Sequence, residues 1–411
     1  MLSIKKSQSS FLVVMCILFF LGNWLKITVH KIFNYPYIEP NGNFIGDSTQ
    51  WADYYISSIV ITSSLIFFNV FVTFIPKVKN TYLDNISANK ISADKVGIIF
   101  LLIIYLLNWK FGFYRIGVSR EMYLPFGLDA PVSFLVFIGA PIYLSIIATS
   151  LIIKKKRLTK SILFLVAIMS LIASTTIYSR ASALLIMLPI LFGLNKTAKS
   201  IGLNKSSLEL VLLATGGTLI ISIFVVSIIR SYVYSGDLSS ERLGFYLLES
   251  FGLVFDRWIG AEAIMTAVTS QPSTNLFFFM LQENPSVGVD GIYQKLSDSH
   301  YVYTEGMTFL TLPGAFGLLT FSGNFALIFV GVFIICVIGL IVEQFVKKNF
   351  KRQHALELLI STNLAYHFSQ MIFAYLFIPF IVQLILLLIF TKLCFVAAST
   401  NYMRKKSTFE K

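Results

Sequence analysis

The stretch FLVVMCILFFLGNWLKITV, residues 11–29, decides the fold class of this chain. It is close to the length of about 20 residues with which a helix crosses the hydrocarbon core of a bilayer. Lys5 and Lys6 precede it, as basic residues precede the apolar part of a secretory signal peptide, but no small-x-small cleavage motif follows. We therefore expect an uncleaved first membrane span.

Comparable apolar runs recur along the rest of the chain. They begin at Tyr55, Val96, Val132, Ser161, Leu208 and Gly323, and a short run at 181–194 and more polar runs at 355–375 and 376–398 complete ten. The 411 residues are 56% hydrophobic and only 13% charged, about half the charge of a soluble domain. The composition predicts an all-α polytopic integral membrane protein of about ten transmembrane helices, built as a single membrane domain over residues 1–411.

The basic residues predict the orientation of these spans. With the N-terminus inside, the segments 1–10, 77–95, 154–160, 195–207, 345–354 and 404–411 face the cytoplasm, and they hold two thirds of the 33 lysines and arginines. Such an excess is typical of cytoplasmic loops. The net charge of +13 is therefore a topology signal, not a nucleic-acid surface, and both termini are expected in the cytoplasm.

The longest outward segment is expected to carry the working site. Residues 230–322 contain no clear span of their own, yet they hold many charged, aromatic and apolar side chains. A connection of this length in a compact protein is usually functional or disordered, and its apolar content argues against disorder. Within it, residues 243–269 resemble a helix that lies on the membrane or dips into it.

Arginines on the outward side are the first candidates for ligand binding. They are Arg115, Arg120, Arg180, Arg230 and Arg257. A guanidinium offers a planar set of donors that suits phosphate oxygens, so several around one cavity would bind a pyrophosphate. Snorkelling to the interface, or pairing with loop carboxylates, is the structural alternative for each of them.

Candidate catalytic groups lie in the same segment and in the ninth run. Asp256 and Glu262 flank Trp258 and Gly260; either carboxylate could accept a hydroxyl proton, and a salt bridge to a neighbouring arginine is the alternative. On a continuous helix, Trp258 and Glu262 would lie one turn apart. His367 shares a helix face with Asn363 and Gln370, where it could transfer protons or simply hydrogen-bond to other helices.

Several classes of site have no sequence support. The three cysteines lie in apolar runs without metal-ligand spacing. No Walker A motif is present, which argues against ATP-driven transport by this chain alone. No outward Asp-x-Asp motif indicates a metal-dependent nucleotide-sugar site, and we expect neither a metal nor a cofactor.

These features together resemble the O-antigen polymerase (Wzy) family of bacterial polysaccharide assembly. The local pieces of the resemblance are Ser179-Arg180 followed by Pro189, the stretch from Arg257 to Glu262, and Pro313-Gly314 ahead of Ser322-Gly323. The resemblance covers most of the chain as architecture, and it implies a fold similar to the GT-C glycosyltransferases. It also implies an enzyme of the bacterial inner membrane whose active site faces the periplasm.

The resemblance implies a reaction and roles for the candidate residues. A glycan moves from one undecaprenyl pyrophosphate to a sugar hydroxyl of the next lipid-linked repeat unit, with a chain-length regulator and the repeat-unit flippase as partners. The pyrophosphate would be bound by Arg180, Arg230 and Arg257, and the second substrate by Arg115 or Arg120. Glu262, Asp256 or His367 would take the acceptor proton, and Trp258 would stack on a sugar.

Two other functions remain open from the sequence. An O-antigen ligase, which transfers the glycan to the lipid A core, shares the same arginine chemistry. A flippase or secondary transporter for the lipid-linked sugar is the alternative from another class. Transporters tend to show inverted repeats and charges near the bilayer midplane, whereas the charges here collect in one outward segment.

Overall fold

A computed structural model describes residues 9–34, 44–74, 95–115, 128–141, 160–179, 205–235, 260–282, 292–297 and 313–349, together with scattered positions such as Tyr37. All regular secondary structure in these ranges is helical. The chain divides into two compact units. The first comprises residues 1–80, 251–345 and 364–382, and the second comprises residues 81–250, 346–363 and 383–411.

The helices are numbered here in chain order. They are α1 (Ser10–Phe33), α2 (Ser48–Phe74), α3 (Lys95–Phe111), α4 (Asp129–Phe134), α5 (Lys160–Ile177), α6 (Lys205–Ser235), α7 (Ala261–Thr269), α8 (Thr274–Gln282), α9 (Ile292–Ser297), α10 (Gly314–Thr320) and α11 (Phe325–Asn349). The first unit contains α1, α2 and α7 to α11, and the second contains α3 to α6.

Four helices are long and apolar enough to cross a bilayer. The spans are Ser10–Phe33, Ser48–Phe74, Leu208–Arg230 and Phe325–Phe345, and shorter apolar helices lie at Ile98–Phe111 and Ser161–Ile177. These helices confirm the prediction of a membrane-embedded, helical chain in the part that the structure describes. The ten-span count and the GT-C likeness stay predictions, and most of the runs at 355–375 and 376–398 lie outside the described residues.

Side-chain caps fix where two of the long helices begin. Before α2, Asp47 Oδ1 accepts a hydrogen bond from the Gln50 amide at 2.7 Å, and Gln50 Oε1 accepts one from the Gly46 amide at 2.9 Å. Asp47 is thus the N-cap of α2, and Gln50 reaches back to the amide of the residue before the cap, an arrangement similar to a capping box. Asn324 caps α11, since its Oδ1 accepts from the amide of Ala326 at 2.9 Å. Both caps satisfy amides that have no partner within the helix.

A buried carboxylate joins α11 to the start of α1. Glu343 is fully buried, and its Oε1 accepts a hydrogen bond from the Ser10 amide at 2.9 Å. Its other oxygen accepts from the Ser9 hydroxyl, and Ser9 also caps α1 by accepting from the Leu12 amide at 3.2 Å. The carboxylate therefore lies at the positive end of the α1 dipole, where a negative charge is stabilised.

Aromatic side chains hold α2 against α11. Phe68 meets Phe333 edge-on with 4.7 Å between ring centroids, and Phe67 and Phe329 lie 6.0 Å apart. The opposite faces of both helices carry exposed apolar residues, including Ile59 and Ile334. An exposed apolar face of this length suits lipid rather than water.

Short buried helices fill the first unit beneath the long ones. All seven residues of α10 and the first seven of α7 are buried, and the two helices approach so closely that a Cβ on Gly317 would lie 2.3 Å from that of Ala263. Helix α7 is therefore buried in protein; the helix predicted over residues 243–269, on the membrane or dipping into it, stays a prediction, because residues 243–259 lie outside the described part. Apolar composition does not distinguish a helix that faces lipid from one buried in protein.

The second unit is built on the pairing of α5 with α6 and of α3 with α5. Helix α4 continues into a π-helical segment, Leu135–Gly139, which also packs against α3. Thr218 on α6 hydrogen-bonds back to the Ala214 carbonyl at 2.7 Å. Such bonds satisfy a hydroxyl within an apolar helix.

Candidate functional site

A buried ion pair lies inside the first unit. Lys26 on α1 forms a salt bridge with Glu262 on α7, and the two residues are 1% and 7% exposed. Charged side chains are almost never this buried unless they are paired, and within a membrane helix they usually mark a functional site. The pair is therefore the centre of the candidate site.

An irregular turn in α1 precedes the lysine. Residues Phe20–Leu25 form a π-helical segment, and regular α-helix resumes at Lys26. A π-helical turn inserts extra backbone into a helix and occurs frequently at functional sites. It breaks the regular 3.6-residue repeat in which side chains follow one another around α1, immediately ahead of Lys26.

A close backbone contact brings Glu262 to α1. A Cβ on Gly260 would lie 2.7 Å from the Gly22 carbonyl oxygen and 3.3 Å from the Asn23 amide nitrogen, so only glycine allows this approach. Glu262 then falls in the first turn of α7. A negative charge is favoured there, because the unpaired amides at a helix start carry partial positive charge.

Buried polar side chains surround the pair. The Tyr54 hydroxyl on α2 donates a hydrogen bond to Asn23 Oδ1, and both residues are fully buried. Burial raises the pKa of Tyr37, and the nearby Glu262 raises it further. The ring of Tyr37 stacks on His30, with 4.3 Å between the centroids. The carboxylate thus lies near Tyr37 and Tyr54.

Helix α1 also carries a lysine held against aromatic rings at the start of α2. Lys31 Nζ lies 4.2 Å from the centroid of the Trp51 ring and donates a hydrogen bond to the Tyr55 hydroxyl at 2.7 Å. Trp51 and Tyr55 stack on each other at 5.5 Å. A cation over such faces is stabilised by about 0.5–1 kcal/mol at an exposed site. This end of α1 and α2 therefore combines positive charge with flat aromatic surfaces.

The second unit contains one described arginine in a defined turn. Arg115 donates a hydrogen bond to the Trp109 carbonyl at 2.7 Å, and its guanidinium lies 5.1 Å from the centroid of the Tyr178 ring. Asn108 joins the two chain segments, because its Nδ2 donates to the carbonyls of Tyr114 at 3.0 Å and Thr176 at 2.9 Å. The arginine thus lies against the turn that ends α5.

That turn has an unusual backbone. Tyr178 has a φ of 57°, which is rare for a bulky side chain and is often found at functional sites. Tyr178, Ser179 and Ser182 are all buried. The described residues on both sides of Arg180 are thus buried, and Arg180 itself lies outside the described residues.

The structure describes three of the predicted site residues. Glu262 lies in the buried pair, so the predicted structural alternative, a salt bridge, is present, with a lysine in place of an arginine. Arg115 lies at the Tyr178 turn, and Arg230 lies half-buried in the last turns of α6. Glu262 lies in the first turn of α7, which begins at Ala261; the one-turn spacing of Trp258 and Glu262 stays a prediction, because Trp258 lies outside the described residues. The predicted residues outside the described part are Arg120, Arg180, Asp256, Arg257, Trp258 and His367.

Two charged residues of the first unit were not singled out from the sequence. Lys26 and Glu343 both lie within apolar runs, and this position is itself a signal, because an ionisable residue in a membrane span needs a partner. Within the described ranges, no three His, Cys, Asp or Glu side chains are grouped so that they could hold a metal ion.

Comparison with known proteins identifies no relative. No protein-family model matches this chain. No curated protein and no solved structure matches it either.

Proposed function

We propose that this protein is a membrane glycosyltransferase that joins oligosaccharide units carried on undecaprenyl pyrophosphate. The observation that carries the proposal is the buried pair of Lys26 and Glu262, which places a carboxylate beside an ammonium in an apolar interior. A general base must be ionised when its substrate arrives. A neighbouring ammonium favours the ionised form of a carboxylate that burial alone would neutralise.

The proposed reaction needs one proton acceptor and one leaving-group site. The Glu262 carboxylate accepts the proton of a sugar hydroxyl, and the hydroxyl oxygen forms a bond to the anomeric carbon of the donor glycan. The bond between that carbon and the pyrophosphate oxygen breaks, and undecaprenyl pyrophosphate leaves with the bonding electrons. Both substrates are lipid-linked, so the reaction takes place at the bilayer.

The arginines are proposed to bind the two pyrophosphate groups. The Arg115 guanidinium lies over the Tyr178 ring and donates a hydrogen bond to a backbone carbonyl, and a guanidinium carries five donors in a planar fork that suits phosphate oxygens. Arg115 and Arg120 are assigned to one lipid-linked substrate and Arg180, Arg230 and Arg257 to the other. Positive groups that stabilise the negative charge developing on a leaving group make a large contribution to lowering the activation barrier of group transfer.

A second candidate is transport of the lipid-linked glycan. It is favoured by the same ion pair, because paired charges inside membrane helices also mark proton relays and substrate pathways, and by the π-helical turn that precedes Lys26. A transporter would move the intact lipid-linked unit without forming a glycosidic bond. The two functions therefore differ in their chemical products.

Purified protein distinguishes these functions directly. The full chain in proteoliposomes is given undecaprenyl-pyrophosphate-linked repeat units from the host, and the glycans are released and separated by size. The proposal expects a ladder of two or more units that a Glu262→Gln variant fails to make. Glu209→Gln is the matched control, since Glu209 is an exposed carboxylate near the start of α6. Single units alone with the native protein would refute polymerisation.

A deletion strain tests the same proposal in the cell. Surface polysaccharide reduced to core plus one repeat, and restored by the native gene but not by the Glu262→Gln gene, is the expected result. An unchanged ladder would exclude the polymerase. Loss of every repeat would favour the ligase or the transporter, and accumulation of units on the cytoplasmic side would then identify transport.

A further inference from the structure

A partly enclosed cavity of about 170 Å³ lies within the first unit. It is bounded by the first turns of α2, the end of α7, the turn after it, the end of α10 and the start of α11. Its lining residues are Asp53, Ser57, Ala267, Val268, Pro272, Thr320, Gly323, Phe325 and Ile328. Drug-sized ligands occupy pockets of about 300–1,000 Å³. This smaller cavity therefore suits a ligand of one ring.

The wall of the cavity is fixed by a close turn-to-turn contact. Gly323 has a φ of 61°, and a Cβ there would lie 2.8 Å from the Pro272 carbonyl oxygen. The Ser273 amide also donates a hydrogen bond to the Phe321 carbonyl at 2.9 Å. The turn after α7 is thus held against the turn between α10 and α11, which gives the cavity a defined shape without a ligand.

Hydrogen-bonding groups line one side of this space. Asp53 and Ser57 are four residues apart on α2 and therefore lie on one face of the helix. Among the described residues, Asp53 has no salt-bridge partner, so its carboxylate can accept hydrogen bonds from a ligand. The Thr320 hydroxyl donates to the Gly317 carbonyl at 2.5 Å, which leaves its oxygen as an acceptor. These groups favour a ligand rich in hydroxyl donors.

An aromatic ring completes the lining. Phe325 is 46% exposed at the start of α11 and borders the cavity. The C–H face of a sugar ring is apolar and packs against an aromatic side chain, while the hydroxyls at the edge of the ring donate hydrogen bonds to nearby acceptors. A carboxylate, a hydroxyl oxygen and an aromatic face around a one-ring space are the combination that a pyranose requires.

The position of the cavity connects it to the buried pair. Ala267 borders the cavity from α7, and Glu262 lies five residues earlier on the same helix. At 1.5 Å per residue the two positions are about 7–8 Å apart along the axis, a separation comparable with the length of a disaccharide. The two positions lie about 140° apart around α7, so a sugar in the cavity would lie on the same short helix as Glu262 but toward a different face of it.

We propose that this cavity is a binding subsite for a single sugar residue of the glycan substrate, with Asp53 as its principal acceptor. The assignment rests on the proposed function, because it supplies that reaction with a site for a sugar on the helix that carries Glu262. The subsite recognises the sugar ring itself, independently of any lipid or pyrophosphate. Free monosaccharides therefore suffice to test it.

Saturation-transfer difference NMR on the full chain in detergent provides that test. The probes are glucose, galactose, rhamnose and N-acetylglucosamine, each added alone. At least one should receive saturation from the native protein, and Asp53→Asn should weaken its binding roughly tenfold, because a hydrogen bond to a charged group becomes a neutral one. Val268→Phe, which fills the cavity from its rim, should abolish the binding.

The control variant carries the same change on the same helix end. Asp47→Asn leaves the cavity intact and preserves the cap, because Asn and Asp are equally good N-caps, so it should bind sugar like the native protein. The subsite proposal is overturned if none of the four sugars receives saturation from the native protein. It is also overturned if Asp53→Asn and Val268→Phe bind sugar as strongly as the native protein does.

The same variants separate failure of the subsite from failure of the proposed function. The combined Lys26→Met and Glu262→Gln variant, in which neither charge is left buried without its partner, should bind free sugar normally and yet make no ladder. If the ladder requires Glu262 while Asp53→Asn and Val268→Phe bind sugar and polymerise normally, the subsite proposal is refuted and the proposed function is still supported. If deletion leaves the ladder unchanged while Asp53→Asn loses sugar binding, the polymerase falls and the sugar site stands.

Discussion

Removing one charge of the Lys26–Glu262 pair should destabilise the first unit far more than removing both charges. Lys26→Met keeps most of the side-chain length but leaves the carboxylate alone in a site that is 7% exposed. Glu262→Gln leaves the ammonium alone in a site that is 1% exposed. Breaking a buried ion pair from one side typically costs about 3–5 kcal/mol, because the remaining charge has neither water nor a partner.

The double variant should behave differently. Replacing a buried pair with neutral side chains of similar volume is often neutral or stabilising. We therefore expect the free energy of unfolding of the combined Lys26→Met and Glu262→Gln variant to stay within about 1 kcal/mol of the native value. The coupling energy of the cycle would then be about 5 kcal/mol or more, above the roughly 0.5–3 kcal/mol that contacting residues usually show.

Unfolding by SDS in mixed micelles, followed by tryptophan fluorescence, measures these differences. Trp24 and Trp51 lie in the same unit as the pair, so their emission reports on it. Glu209→Gln again serves as the control and should change little. Additive losses in the double variant would refute the reasoning, since they would mean that each charge is stabilised by other groups and not by its partner.

Three further predictions use the same unfolding assay. Glu343→Gln should lower the free energy of unfolding by about 1.5–3 kcal/mol, because the native carboxylate accepts hydrogen bonds from both the Ser9 hydroxyl and the Ser10 amide. An unchanged free energy would show that α1 does not need this contact. Gly260→Ala should lose about 1–3 kcal/mol through overpacking against Gly22. At Gly216 a Cβ would have no neighbour within 4 Å, so Gly216→Ala should raise the free energy of unfolding by up to about 1 kcal/mol. Equal changes in the two glycine variants would contradict this prediction. Arg115→Lys should lose about 0.5–1 kcal/mol with its ring contact to Tyr178, and a Tyr178→Leu background should remove that loss.

The long helices were predictable because their signal is local. A run such as residues 11–29 cannot be covered by water-facing groups, so its composition alone indicates a membrane span. Three further long helices follow from the same reasoning, and α2 and α11 begin within a few residues of polar caps that the sequence displays, Asp47 and Asn324. The ends of these helices depend on neighbouring side chains and not on distant parts of the fold.

The buried helices and the ion pair were harder to predict because their signals depend on tertiary contacts. Glu262 was predicted as a candidate, but its partner was sought among arginines in the outward segments. Lys26 is more than two hundred residues away in sequence, and nothing local links the two positions. Gly260 lies between the two candidate carboxylates in the sequence, but the backbone that it approaches is Gly22, a pairing that no sequence period indicates.

The ion pair is poorly explained as a device for stability alone. Helix α7 already packs against α2 and α10 through buried apolar residues, and an apolar pair at positions 26 and 262 would join α1 to α7 without the cost of removing two charges from water. The tyrosines near Glu262 add polar groups that an apolar interior would otherwise exclude. A site that needs an ionised carboxylate away from water accounts for these residues together, because a nearby positive charge favours the ionised form of a buried carboxylate. This physical reason places Glu262, rather than an exposed carboxylate such as Asp47, at the centre of the proposed chemistry.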